Sequence, residues 1–333
     1  MVTRDELRRS LLNDWQRGFP LVAAPFERIA AALRCSEAAV LEAYQVLRTE
    51  GSVSRIGGVF AAGAGGAGLL AAVAVPPARL AAVAALVSAH PGVNHNYERE
   101  HRWNLWFVLN GSSAAAVQRT MDALEAVVQL PTLRLPMQRA YRIDLGFDLD
   151  GLIARSPTGN RAEAAAPLVA ADWPLAALVE QGLPLVRRPY DLWALQLGCD
   201  GDRIVETLAR WQHDGTLKRF GVIVRHHELG FDANAMTVFD VPDDEVDARG
   251  LALARDAAVT LAYRRERAVG WPYNLYCMVH GRDRVAVRAT LDGVIERAGL
   301  AACGRETLFS RRRFKQEGAR RFRDLDALAS HAH

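Results

Sequence analysis

The chain has 333 residues, 50% of them hydrophobic and 24% charged, which describes a soluble globular protein of about two domains. A formal net charge of +3 lies too close to neutrality for a dedicated nucleic-acid binder, so any basic site must be local. The charged start, Thr3-Arg4-Asp5-Glu6, leads into no apolar signal segment, and Gly63, Gly65, Gly66, Pro76 and Pro77 break the Ala-rich stretch 61–89 short of a membrane span; a cytoplasmic protein with no membrane partner is expected.

In chain order, the first clear element is a helix with Phe26, Ile29, Ala30 and Leu33 at i, i+3, i+4, i+7. Ser36 is an N-cap candidate for a second helix whose buried stripe is Val40, Tyr44 and Leu47, and Gly51 turns the chain into a strand, the pattern of a winged helix-turn-helix. A strand over 69–75, a helix over 78–89, a strand over 103–109, a helix over 113–128 and a last strand over 132–142 then fit a ferredoxin-like βαββαβ unit. Residues 151–172, rich in Ala, Pro and Gly, read as a linker.

After the linker the order repeats. With an offset of 164, Gly18, Pro20, Cys35, Gly51 and Arg55 meet Gly182, Pro184, Cys199, Gly215 and Arg219. The first helix returns as Tyr190, Trp193, Ala194 and Leu197, and the second, behind the cap candidate Asp200, as Ile204, Leu208 and Trp211. The offset drifts to 166 at Val93 and Val259 and to 170 at Asn104 and Asn274, so the second copy carries about four extra residues beside Trp271. The expected fold is α+β, a tandem duplication: helix-turn-helix 1–60, βαββαβ 61–150, linker 151–172, helix-turn-helix 173–224, βαββαβ 225–322. Cys35, Cys199, Cys277 and Cys303 lack C-x-x-C spacing and read as reduced core residues.

A recognition helix sends Arg, Lys, Asn or Gln into the major groove, whereas these second helices present Glu37, Glu42, Asp202 and Glu206. They read as scaffold or dimerisation elements, and no DNA partner is expected. The chemically informative residues lie later. A basic strand runs Arg219-Phe220-Gly221-Val222-Ile223-Val224-Arg225-His226-His227, and a second run reads Tyr263-Arg264-Arg265-Glu266-Arg267-Ala268-Val269-Gly270-Trp271-Pro272-Tyr273-Asn274-Leu275-Tyr276. Guanidinium forks grip carboxylates and ring faces pack on an apolar macrocycle, so this mixture suits a large, planar polyanion.

The architecture resembles the leucine-responsive regulator (Lrp/AsnC) family, and particular motifs narrow it. Val93-Asn94-His95-Asn96-Tyr97-Glu98-Arg99-Glu100-His101-Arg102-Trp103-Asn104-Leu105-Trp106 is similar to the D-type subunit of siroheme decarboxylase. The stretch 219–227, Gly230-Phe231-Asp232-Ala233-Asn234-Ala235-Met236 and 271–276 resemble the L-type subunit, as in a natural D–L fusion. The resemblance implies removal of the C12 and C18 acetate carboxyls of siroheme to give didecarboxysiroheme, on the route to heme d1. It implies no metal or organic cofactor, iron entering only within the substrate. Siroheme and its didecarboxylated product are the expected partners of an internal pseudo-dimer, with a further decarboxylase heterodimer or a homodimer left open. The alternative is a tetrapyrrole-binding regulator or carrier without catalysis.

Loss of carbon dioxide leaves electron density on a methylene carbon that an acid must protonate, and histidine suits that transfer near neutrality. His226 and His227 are the catalytic candidates; neighbours on a strand face opposite ways, so one of them faces the ring. Arg219, Arg225, Arg264 and Arg265 in the second copy, with Arg99 and Arg102 in the first, are carboxylate clamps. Trp271, Tyr273, Tyr263, Trp103 and Tyr97 are candidates to line the macrocycle, and Asn234 bonds a propionate or its own strand. The first copy has no histidine over 57–75 but owns His95 and His101, where the second has Leu261 and Arg267. Neither half holds the full set, which predicts one competent and one degenerate pocket.

Overall fold

The computed structural model describes residues 3–143, 165–225 and 233–323. The first copy supplies α1 (Arg4–Asn13), α2 (Pro25–Leu33), α3 (Glu37–Thr49), β1 (Val53–Phe60), β2 (Ala67–Val73), α4 (Leu80–Ala89), β3 (Val93–Arg99), β4 (Leu105–Gly111), α5 (Ala114–Val128) and β5 (Thr132–Ile143). The second supplies α6 (Trp173–Gln181), α7 (Pro189–Leu197), α8 (Gly201–His213), β6 (Leu217–Val224), β7 (Ala233–Asp240), α9 (Val246–Arg255), β8 (Val259–Arg265), β9 (Leu275–Gly281), α10 (Arg284–Arg297) and β10 (Gly304–Gln316). Among the described residues no helix is long and apolar enough to cross a membrane.

The described residues form two compact units that gather like parts from both copies: residues up to 65 with 165–225, and 66–143 with 233–323. In the first unit the two helix-turn-helix motifs meet through their wings, β1 pairing antiparallel with β6 so that Gly57 lies opposite Gly221. Glycine is required here by close approach, because a Cβ on Gly57 would lie 2.6 Å from the Val179 carbonyl oxygen of α6 and one on Gly221 2.5 Å from the Trp15 and Gln16 carbonyl oxygens. Ser36 caps α3 through a bond from the Ala39 amide at 3.2 Å, whereas Asp200 occupies the matching position of α8 without a side-chain cap. Glu42, Asp202 and Glu206 are exposed on the second helices.

In the second unit eight strands close a barrel in the order β10-β3-β4-β2-β5-β8-β9-β7. Each copy contributes a four-stranded antiparallel sheet, and the copies join where β5 meets β8 and β10 meets β3. Strand parity divides the apolar residues: Leu69, Ala71 and Val73 of β2 pack with Val83 and Val87 of α4 and Leu124 of α5, while Leu70 and Ala72 join Trp106, Leu135, Met236, Val238, Tyr276 and Leu308 inside the barrel. The second copy builds the matching layer with Val259, Cys277 and Phe309 against α9 and α10. The second strands of each repeat, β3 and β8, are absent from the sequence-level strand pattern. They begin at irregular registers, between Val93 and His95 and between Val259 and Leu261, which interrupts the alternation that marks a strand.

Candidate functional site

The barrel interior is largely apolar, and its buried arginines stand where β3 and β8 end. Asn104 holds the end of β2, its side chain accepting from the Val75 amide at 2.9 Å and donating to the Val75 carbonyl at 2.8 Å. Its own carbonyl accepts from the Arg99 amide at 2.8 Å. Asn274 repeats this on the other side, with Val241 at 3.0 and 2.9 Å and the Arg265 amide at 2.9 Å. The asparagines that anchor the repeat in sequence therefore fix the two hairpins that carry Arg99 and Arg265.

These arginines are pseudo-equivalent and both buried, at 6% and 9% exposure. Nη1 of Arg99 donates to the Leu308 carbonyl of β10 at 2.9 Å, and Nη1 of Arg265 to the Leu135 carbonyl of β5, also at 2.9 Å. Each guanidinium lies over a tyrosine of its own strand, Tyr97 at 5.8 Å and Tyr263 at 5.3 Å, and Arg265 also over Tyr276 at 5.8 Å. Among the described residues neither has a carboxylate partner, and the buried Nε of each has no acceptor. Burial pushes Arg99 down to about 10, with Tyr97 opposing; burial also lowers Arg265, with Tyr263 and Tyr276 opposing. Burial raises the Tyr97 and Tyr263 hydroxyls to about 12, against the neighbouring arginines. A buried cation without a counter-ion is costly unless an anion arrives, so the interior is electrostatically prepared for carboxylates.

The surroundings of the two cations differ. Oδ1 of Asn234 on β7 accepts from Nη1 of Arg99 at 3.3 Å and from Oγ of Ser310 at 2.5 Å. The registers place Gly68 and Met137 where Asn234 and Ser310 stand, so Arg265 is flanked by no such pair. His280, cross-strand from Asn234, bonds Oγ1 of Thr260 at 2.9 Å through Nδ1. Ser310 and His280 escape the sequence reading because they lie in no motif; each shares the parity of an interior neighbour, Leu308 or Met278.

In the loops that leave β3 and β8, aromatics pack against one another and against the starts of β4 and β9: Trp271 contacts Trp106 at 5.2 Å and Tyr273 at 4.8 Å, and its Nε1 donates to the Tyr276 hydroxyl at 2.7 Å. Trp271 is 1% exposed, so it serves as core here rather than as an open ring platform. His101 bonds Glu306 at 2.9 Å through Nε2 and accepts from the Trp103 amide at 3.0 Å through Nδ1; Tyr273 donates to Glu306 at 3.1 Å. Burial lowers His101, while Glu306 pulls it back up. The exposed Arg102 donates to the Gly270 carbonyl at 2.9 Å and lies over Trp103 at 5.8 Å.

The sequence candidates thus separate. Arg99, Arg265, Asn234, Tyr97, Tyr263 and His95, which stacks on Tyr97 at 6.3 Å, belong to the barrel. Arg264 departs from its expected role as a clamp: the strand turns it to the helix side, where Asp243 and Asp247 face it at 3.6 Å. Arg219 and Arg225 lie on and just after β6 in the first unit, outside this set. His226 and His227 lie outside the described residues.

Residues 64–142 and 228–315 match the model of the AsnC-like ligand binding domain, and 8–53 that of the siroheme decarboxylase NirDL-like HTH domain. The siroheme decarboxylase NirDL subunit of Paracoccus pantotrophus is 39% identical over 320 residues, 96% of this chain and 98% of that one. The NirD subunit of the Stutzerimonas stutzeri enzyme is 50% identical over 145 residues, 44% of this chain and 95% of the subunit. Crystal structures of the siroheme decarboxylase NirDL, one in co-complex with an iron-uroporphyrin III analogue, share the fold with TM-scores of 0.67 and 0.66 at 24% identity, covering 99% of this chain and 99% and 100% of theirs.

Proposed function

The chain belongs to the siroheme decarboxylase family, and we propose that it removes the C12 and C18 acetate carboxyls of siroheme, giving didecarboxysiroheme for heme d1 synthesis. The observation that carries this reading is the pair of buried arginines, Arg99 and Arg265, without carboxylate partners among the described residues of a barrel built from two fused copies. Siroheme is a planar macrocycle edged with eight carboxylates. Clamping those that do not react fixes the ring, while a drier setting for the reacting acetate avoids over-stabilising its charged ground state.

Each turnover breaks the bond between methylene and carboxylate, releases carbon dioxide, and leaves an electron pair on a carbon conjugated with the macrocycle. A proton then completes the methyl group. We assign that proton to His226 or His227, which precede Asn234 by eight and seven residues in the chain. Arg99 and Arg265 are the clamps, with Tyr97, Tyr263 and Asn234 beside them. No resident metal or organic cofactor enters the proposal, iron coming with the substrate, and the location is taken as cytoplasmic. The helix-turn-helix unit acts as a scaffold without DNA affinity, consistent with its exposed carboxylates.

Anaerobic incubation of the pure protein with siroheme, read by mass spectrometry, tests the reading. Loss of one and then two carbon dioxide molecules is expected. Binding of siroheme with no carbon dioxide released would leave a tetrapyrrole carrier or regulator instead.

A further inference from the structure

Asn234 touches the Arg99 guanidinium with its oxygen, and that oxygen is also held by Ser310 at 2.5 Å. Asn234 is 2% exposed and Arg99 6%, so water screens neither. An aspartate would fit the same space and would give Arg99 the counter-ion it lacks among the described residues, yet the position carries the neutral isostere. At the pseudo-equivalent arginine the matching residues are Gly68 and Met137, which supply no side-chain oxygen at all. Among the described residues both arrangements leave a buried guanidinium without a carboxylate and hold it by one backbone carbonyl, but only Arg99 is also held by a side-chain oxygen.

Resting on the siroheme reading above, we propose that Asn234, steadied by Ser310, is the specificity-determining residue of the Arg99 site: it orients the guanidinium while, being neutral, keeping its charge for a carboxylate of the tetrapyrrole. The amide oxygen of Asn234 accepts from Nη1 and so fixes one arm of the fork, while among the described residues Nε stays free of any acceptor. A carboxylate there would form an internal ion pair, and a substrate carboxylate would have to displace it. The Arg265 site, without the pair, is the less directed clamp.

The test is Asn234→Asp against Asn234→Ala in the full chain, with ferric uroporphyrin as the probe and siroheme as substrate. If neutrality matters, Asn234→Asp weakens uroporphyrin binding about tenfold or more, in line with loss of a charge-assisted contact, raises KM more than it lowers kcat, and keeps or raises the melting temperature. Asn234→Ala, which keeps the guanidinium free but less well aimed, should bind more tightly than Asn234→Asp. Equal losses in the two variants, or wild-type binding by Asn234→Asp, overturn the proposal. Should Asn234→Asp fail to fold, Ser310→Asp decides: it brings a carboxylate to the same neighbourhood from β10, and undiminished porphyrin binding by it overturns the proposal equally. Wild-type protein that binds porphyrin but releases no carbon dioxide defeats the decarboxylase reading alone, and the variants still decide this one. Wild-type protein that binds no polycarboxylate porphyrin defeats both.

Discussion

Replacing Arg99 with methionine should uncouple stability from function. Burial lowers Arg99 to about 10 from an ordinary arginine value of about 12.5, which at about 1.4 kcal/mol per pH unit is a penalty of about 3 kcal/mol on the charged folded state. Because the folded value is the lower one, that penalty is fully present at neutral pH and is relieved only as pH rises through about 10. Methionine keeps an apolar stem of similar reach and removes the penalty. Against this, the Leu308 carbonyl and the Asn234 amide oxygen each lose the donor that Arg99 supplies, at a cost of about 1–3 kcal/mol. The two nearly offset, so Arg99→Met should be between neutral and about 2 kcal/mol more stable in urea unfolding followed by circular dichroism. The same variant should bind ferric uroporphyrin at least about tenfold more weakly, the loss of one charge-assisted carboxylate contact. A variant that is destabilised by more than about 2 kcal/mol, or that binds porphyrin normally, refutes the view that this cation is held in reserve for an anion.

Further outcomes follow from the same geometry. Arg265→Met should likewise fold well but weaken porphyrin binding less than Arg99→Met, since Gly68 and Met137 do not aim that guanidinium; fluorescence titration of both variants checks the order. Removing the Glu306 charge with Glu306→Gln takes away the influence that raises His101, so an NMR titration of His101 should show it titrating at lower pH than in the wild type. Since His101 is already lowered in the folded state, its contribution to stability is held above the ordinary histidine value and lost as pH falls through the lowered one. Alanine at whichever of His226 and His227 faces the ring should cut turnover about a hundredfold with siroheme binding retained, whereas both variants near wild-type turnover would move the acid to His95 or His101. Promoter DNA should show no sequence-selective mobility shift with this protein at physiological salt; a selective shift at nanomolar protein would reverse the scaffold assignment of the first unit.

The duplication, the helix-turn-helix motifs, the elements of each βαββαβ unit other than β3 and β8, and the special place of 93–106 and 263–276 are legible in the sequence, because repeat offsets and helical periodicity are local properties of a chain. The matched pair Asn104 and Asn274 is visible as an anchor, though not the reason for it, which is to tie β2 and β7 to the hairpins bearing Arg99 and Arg265. What the sequence leaves undecided is which of two adjacent arginines does what. Arg264 and Arg265 are identical in type and neighbours in the chain, and only the bulge at the start of β8 sets the parity that turns Arg265 into the barrel and Arg264 toward Asp243 and Asp247. Nor can the sequence place Ser310 and Asn234 beside Arg99, residues 76 and 135 positions apart from their partners. That meeting depends on β10 pairing with both β7 and β3, and a closed barrel assembled from two copies is decided by long-range strand pairing rather than by local pattern.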